Sequence, residues 1–190
     1  MAARKKAIPK IYELLIELED IDPLIWRLVL VPSTITLPKL HELLQLVMGW
    51  TNSHLHSFEI GERAYSSTDA ELEELNMVNE KKYTLAMALG EGTKVFKYEY
   101  DFGDSWRLRI RVTTVAKPKM DWSYPLCVGG ARAAPPDDVG GVPGYLEFLA
   151  AIGDPNHDEH DSMLEWVGGA FDPEGFDLNA INRTLRWARL

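Results

Sequence analysis

The sequence predicts an α+β fold: a largely antiparallel sheet with helices packed on one face and a helical C-terminal part. Three observations point there. Residues 95–100 and 106–112 alternate apolar and polar on either side of a short Gly-containing turn, the signature of a β-hairpin. Residues 11–20 and 24–31 also read as strands. Apolar residues recur at helical spacing from residue 37 and again after residue 143, so strands come first and helices last.

Taken in order, residues 1–9 are expected to form a flexible basic tail, without the apolar stretch of a secretory signal. The strands at 11–20 and 24–31 are joined by a turn at Ile21-Asp22-Pro23, with Trp26 anchored inward and Pro32 ending the second. Thr36 or Leu37 opens a helix whose Pro38 sits in the first turn, where its missing N–H costs nothing. Leu40, Leu43, Leu44 and Val47 form its apolar stripe and Gly49 stops it. His41 on this helix is read as a surface residue. Residues 54–60 follow as a strand, 66–82 as a loop with a helical turn near 72–75, and 84–89 as a short helix capped by Thr84.

The alternation sets the register of the central hairpin. Phe96, Tyr98 and Tyr100 share one face, as do Trp106, Leu108 and Ile110. Hence Tyr100 pairs with Trp106, Tyr98 with Leu108 and Phe96 with Ile110, because a slip by one residue would turn the aromatics to the wrong side. Glu99 then faces Arg107 and Lys97 faces Arg109. Residues 101–105 form the loop, with Gly103 available for a positive φ.

Residues 117–142 are a Pro/Gly-rich connection. Helices follow from Pro143, with Leu146, Leu149, Ala150 and Ile152 inward, from Asp154-Pro155 to about Val167, and from Leu178 to Ala188. The 190 residues read as a single domain: the tail, a strand-rich part with one helix at 10–116, the connection at 117–142 and a helical part at 143–190.

Composition narrows the function. The chain is 46% apolar and 26% charged, as expected of a globular protein, and carries no run long enough for a membrane helix. Cys127 stands alone, which excludes an internal disulfide and makes a reducing, cytoplasmic setting the expectation. Net charge is −9, and residues 133–182 contain no Lys or Arg. Such a stretch disfavours phosphate backbones and suits a divalent cation or a protein partner with a basic surface.

Several motifs occur in a fixed order. They are Gly49-Trp50-Thr51-Asn52-Ser53-His54-Leu55-His56-Ser57-Phe58, Tyr98-Glu99-Tyr100-Asp101-Phe102-Gly103-Asp104-Ser105-Trp106, Pro135-Pro136-Asp137-Asp138-Val139-Gly140-Gly141, Asp154-Pro155-Asn156-His157-Asp158-Glu159-His160 and Phe171-Asp172-Pro173-Glu174-Gly175-Phe176-Asp177. Together they resemble the plasmid pRiA4b ORF-3-like family across nearly the whole chain. The resemblance implies an α+β fold and a prokaryotic protein often carried by plasmids and transposable elements, with no settled activity. Many relatives place a His two residues after the hairpin Trp and extra Cys in the Pro-Pro segment; here the corresponding residues are Leu108, Ala134 and Val139.

The leading candidate for chemistry is His157, His160 and Asp161. In a helix starting near Pro155 they share a face, and imidazole plus carboxylate suits a divalent transition metal. The same residues also make an ordinary acidic first turn, favoured by the helix dipole. Further ligands could come from Asp101 and Asp104 in the hairpin loop, or from His54 and His56, two imidazoles on one strand face about 7 Å apart. Those histidines serve equally as packing residues beside Phe58, and the loop carboxylates as turn formers. Asp101-Phe102-Gly103 lacks the context of a kinase, Gly140-Gly141-Val142-Pro143-Gly144 lacks a phosphate-binding lysine, and no Ser or Cys nucleophile stands out. The first reading is therefore a non-enzymatic binding or accessory module. The alternative is a divalent-metal-dependent hydrolase of the phosphoester class. Nucleic-acid binding through Lys97, Arg107, Arg109 and Arg111 ranks third.

Overall fold

The computed structural model describes residues 9–67, 77–188 and 190. These residues form β1 (Ile11–Leu18), β2 (Trp26–Pro32), α1 (Leu37–Met48), β3 (His56–Ile60), β4 (Arg63–Ser66), β5 (Val78–Asn79), a 3-10 turn (Glu80–Lys82), α2 (Leu85–Leu89), β6 (Val95–Tyr100), β7 (Trp106–Ala116), β8 (Leu126–Ala131), α3 (Gly141–Gly153), α4 (His160–Trp166) and α5 (Leu178–Ala188). One sheet runs β5-β4-β3-β6-β7-β1-β2-β8. Every pairing in it is antiparallel except β4 with β5. The fold is mixed α+β in class, with a helix, α5, following the last strand and two further helices. The basic stretch at 1–8 and the helical turn expected near 72–75 lie outside the described residues.

The β6–β7 hairpin joins β3 on one side to β1 on the other. Its register is Tyr100 with Trp106, Tyr98 with Leu108 and Phe96 with Ile110, as the alternation requires. All six side chains are buried. Burying each is worth roughly 1.5–3 kcal/mol or more, against about 0.2–1 kcal/mol for an exposed cross-strand ion pair, so the apolar face decides the register. The outer face is polar: Arg107 contacts Glu99 at 3.5 Å, Lys97 contacts Glu19 at 3.3 Å and Arg111 contacts Glu17 at 3.3 Å.

Helix α1 carries the chain from β2 to β3 across the inner face of the intervening strands. Thr36 caps its N-terminus, and Gly49 ends it in the left-handed conformation, φ 82°. His41 and Gln45, one turn apart, both point into the sheet and are buried. The expectation of a surface His41 is therefore corrected: its ring stacks on His56 at 3.6 Å and bonds both the Tyr98 hydroxyl (2.8 Å) and Asn52 Oδ1 (2.6 Å). Gln45 Nε2 donates to the same hydroxyl at 2.9 Å, and His56 meets Glu80 at 3.0 Å.

Other expectations also change. Trp26 faces the outer side, because β2 pairs Arg27 with Ile16 and so turns Arg27 inward. The buried guanidinium donates to the carbonyls of Val47, Trp26 and Ala131 and lies over the Phe176 ring. Desolvation lowers its pKa to about 10. The Pro/Gly-rich connection contains β8, paired with β2; Gly129 there lies under the Trp26 ring, which replaces apolar alternation as the packing signal. The buried face of α3 is centred on Tyr145, Phe148 and Ala151; of the residues expected inward, Leu149 and Ile152 pack partly buried against the core, whereas Leu146 and Ala150 are exposed. At the far edge, Asn182 of α5 bonds both backbone groups of Cys127 in β8, accepting from its N–H at 2.9 Å and donating to its carbonyl at 2.8 Å. The Cys127 thiol is buried, and burial raises its pKa.

Burial, and next the neighbouring His56, hold His41 at a pKa of about 4 against an ordinary 6.5. The unfolded chain takes up this proton first as pH falls. The stabilising contribution is whole above pH 6.5 and is lost progressively down to about pH 4, on the order of 3 kcal/mol. Urea unfolding at pH 7, 5.5 and 4 should show this decline, and His41→Gln should flatten it. An equal slope in the variant would reassign the effect to other groups.

Candidate metal centre

Three segments far apart in the sequence meet at the end of the β6–β7 hairpin. The first is the link from α1 to β3. Because β3 starts at His56, His54 lies outside the strand and the two imidazoles do not share a face. His56 goes into the core, whereas His54 turns toward the hairpin loop. The link is held at both ends: Asn52 accepts from His41 and donates its backbone N–H to Gln45 Oε1 (3.0 Å), while the Ser53 N–H donates to the Tyr100 hydroxyl (3.1 Å).

The hairpin loop provides Asp101. Asp101 and Ser105 take the positive φ values of this loop, 55° and 57°, the role expected for Gly103. Asp is among the few residues that tolerate this region, because its short side chain bonds the local backbone. Here Asp101 Oδ1 accepts from the N–H groups of Gly103 (2.9 Å) and Asp104 (3.3 Å). Its backbone N–H donates to the Leu55 carbonyl. One carboxylate oxygen is thus occupied, and Oδ2 is left facing His54.

The third segment is 135–141. Trp50 Nε1 donates to the Pro135 carbonyl at 3.1 Å, and Asp137 Oδ2 accepts from the Thr51 N–H at 2.7 Å and hydroxyl at 2.6 Å. Asp104 Oδ2 accepts from the Gly140 N–H at 3.1 Å. Asp104 therefore acts as a tie between loops and is not aimed at the centre. Between these ties Asp138 sits at φ 61° and presents Oδ1 to His54.

His54 Nε2 lies 3.1 Å from Asp138 Oδ1 and 3.6 Å from Asp101 Oδ2. One ligand atom from each residue falls within 4.8 Å of the others, and among the described residues this is the group of three His, Cys, Asp or Glu that does so. Nε2 is a buried atom that makes no hydrogen bond despite the nearby oxygens. Ligand atoms bonded at about 2.0–2.2 Å to one ion lie within about 4.4 Å of each other, so small side-chain adjustments would close the trio on a cation. His54 and Asp138 remain open to solvent, with side chains 27% and 70% exposed.

The helix cluster is arranged differently. Residues 154–159 form turns, and α4 begins at His160. Asp154 Oδ1 accepts from the Asn156 backbone N–H, His157 Nδ1 accepts from the Glu159 N–H at 3.1 Å, and His160 Nδ1 bonds the Ala151 carbonyl at 2.9 Å. The backbone hydrogen bond from Asn156, ahead of its side chain, lowers the Asp154 pKa. The structure does not bring His157, His160 and Asp161 together as a trio, because the turn breaks the helical spacing between His157 and the other two. It does bring together His54 and Asp101, and it adds Asp138, which stands out in the sequence only as part of the motif at 135–141.

The description "Plasmid pRiA4b ORF-3-like protein" matches residues 10–180, which contain all three segments. The chain belongs to the plasmid pRiA4b ORF-3-like family. It is 35% identical over 189 residues to the uncharacterised protein y4hQ of Sinorhizobium fredii, covering 96% of each chain. The crystal structure of MM3350 from Methanosarcina mazei Go1, a protein of unknown function, matches at 36% identity and a TM-score of 0.83, covering 90% of this chain and 97% of that one. For this pRiA4b ORF-3-like protein the fold is thus shared with a solved relative, and the relatives bring no assigned activity. No helix among the described residues is long and apolar enough to cross a membrane.

The centre depends on close backbone approach at Gly141, which has φ 67°. A Cβ there would lie 2.6 Å from the Asp104 carbonyl oxygen. Gly141→Ala should destabilise the protein by about 1–3 kcal/mol through backbone strain and by parting the two loops. Denaturant midpoints of wild type and variant measure this, and an unchanged midpoint would mean that the loops are not packed as described.

Proposed function

We propose that this pRiA4b ORF-3-like protein is a binding module that holds a divalent transition metal through His54 Nε2, Asp101 Oδ2 and Asp138 Oδ1. The observation carrying this reading is the buried His54 Nε2, which faces two carboxylate oxygens without a hydrogen bond. A cation between them satisfies all three groups at once. One imidazole with two carboxylates suits zinc, manganese, iron(II) or cobalt rather than calcium, which prefers an all-oxygen shell.

The local charge supports a cation. Segments 50–56, 99–105 and 135–141 contain Glu99, Asp101, Asp104, Asp137 and Asp138 and no Lys or Arg. The same count speaks against a phosphate ester approaching unaided. Metal-assisted hydrolysis is the second reading, favoured by one feature: three protein ligands with an exposed Asp138 leave coordination positions for water. On the outer face, the pairing of Lys97, Arg107 and Arg111 with carboxylates favours neither a nucleic-acid backbone nor a strong basic patch. A protein partner with a basic surface fits the Lys- and Arg-free stretch 133–182, and a cytoplasmic setting fits the lone Cys127.

Titration of tag-free, chelator-treated protein with cobalt(II), followed by visible absorption and calorimetry, tests the reading. One equivalent should bind. Metal at a hundred times its Kd should raise unfolding stability by about 2.7 kcal/mol. His54→Ala and Asp101→Asn should each weaken binding on the order of a hundredfold or more, whereas a His157→Ala/His160→Ala double variant should bind normally. Binding lost in the double variant and kept in His54→Ala would move the site to the α4 cluster. No binding in wild type would overturn the metal reading.

A further inference from the structure

A second concavity lies beside Asp138, between α3 and α4. Its volume is about 350 Å³, at the small end of the range for small-molecule sites. Val139, Phe148, Met163 and Trp166 supply its apolar walls, and Asp138, Glu147 and Glu159 its ionisable groups. No Lys, Arg or His lines it. Phe148 is buried and held in place by edge-to-face contacts with Trp166 at 5.9 Å and Phe171 at 5.2 Å. Trp166 keeps 48% of its surface exposed, so its ring can be reached from solvent.

From these features we infer that the pocket binds a small organic ammonium ion carried on an apolar body. An apolar body of about the size of a phenyl group fits against Phe148, Met163 and Trp166, displacing water from surface that is costly to leave wet. An ammonium group within about 6 Å of an indole face is attracted to the ring, and carboxylates at the rim add a second attraction. The absence of any lining cation removes competition for Glu147 and Glu159. An anion meets three carboxylates and no cation among the lining residues. The charge at the rim therefore selects the sign of the ligand, and the aromatic wall supplies the contact area. The pocket shares Asp138 with the metal centre, but its walls do not need the metal.

The test is a ¹H–¹⁵N correlation titration of the full chain in EDTA, so that its outcome is independent of the metal reading. The probes are phenethylamine, its neutral analogue 2-phenylethanol, and the anion 3-phenylpropanoate. Phenethylamine should shift the amides of Gly144, Ser162 and Met163 and the Trp166 indole N–H. The alcohol should bind about tenfold more weakly, equivalent to about 1.4 kcal/mol, and the carboxylate more weakly still. Glu147→Gln/Glu159→Gln alters two exposed side chains, so the fold should survive, and it should bring the amine down to the level of the alcohol. Equal affinity for amine and alcohol, shifts confined to other residues, or an amine affinity unchanged in the double variant would each overturn the inference.

Discussion

The hydroxyl of Tyr98 is fully buried beneath α1, and a hydroxyl there must be hydrogen-bonded or it costs roughly 1–3 kcal/mol. His41 and Gln45 satisfy it from one helical face. Because Asn52 Oδ1 accepts from His41 Nε2, that nitrogen carries the proton, Nδ1 accepts from Tyr98, and Tyr98 accepts from Gln45. This chain of donors fixes the rotation of α1 on the sheet. Through Asn52 it also fixes the direction in which the chain leaves the helix. The His54 side chain is aimed two residues later, so the packing of the core also sets the direction of the candidate ligand His54.

The hairpin register acts on the same place from the other side. Tyr100 is the last inward residue of β6; its ring stacks on Trp50 and its hydroxyl accepts from Ser53. Asp101 follows at once and must reverse the chain, so its carboxylate is tied to the loop backbone and cannot swing. The Pro-Pro-Asp-Asp segment is held to both neighbours by Asp137 and by Asp104. All three candidate ligands thus sit one step beyond a well-packed anchor. The core is dense and apolar, yet polar side chains at its end are preorganised and partly open to solvent, the usual arrangement of a site that engages a ligand.

Local pattern made much of this fold legible. The hairpin register follows from a period of two over thirteen residues around one loop, and α1 from a cap, a stripe and a terminal Gly. What escaped depends on distant parts of the chain. β8 contains Gly129 and Gly130, which carry no pattern, and it is a strand because β2 offers an edge and Trp26 needs a flat surface. His41 reads as a polar helix residue until the tyrosine across from it is known. His54 and His56 look equivalent until the strand is seen to begin between them. Asp138 could not be read as a ligand because nothing local links it to residues 54 and 101. The family motifs did contain all three, though they gave order in the sequence without position in space.

The amide of Asn182 has a consequence for the whole sheet. It presents one acceptor and one donor to the outer backbone of Cys127, in the geometry a ninth strand would offer. A single side chain thereby imitates a neighbouring strand and closes the growing edge of the sheet. Helix α5 is then more than a cover for the core. It works as a stopper against self-templating, and a chain lacking its last helix would emerge with a ready seam along which copies could add to one another.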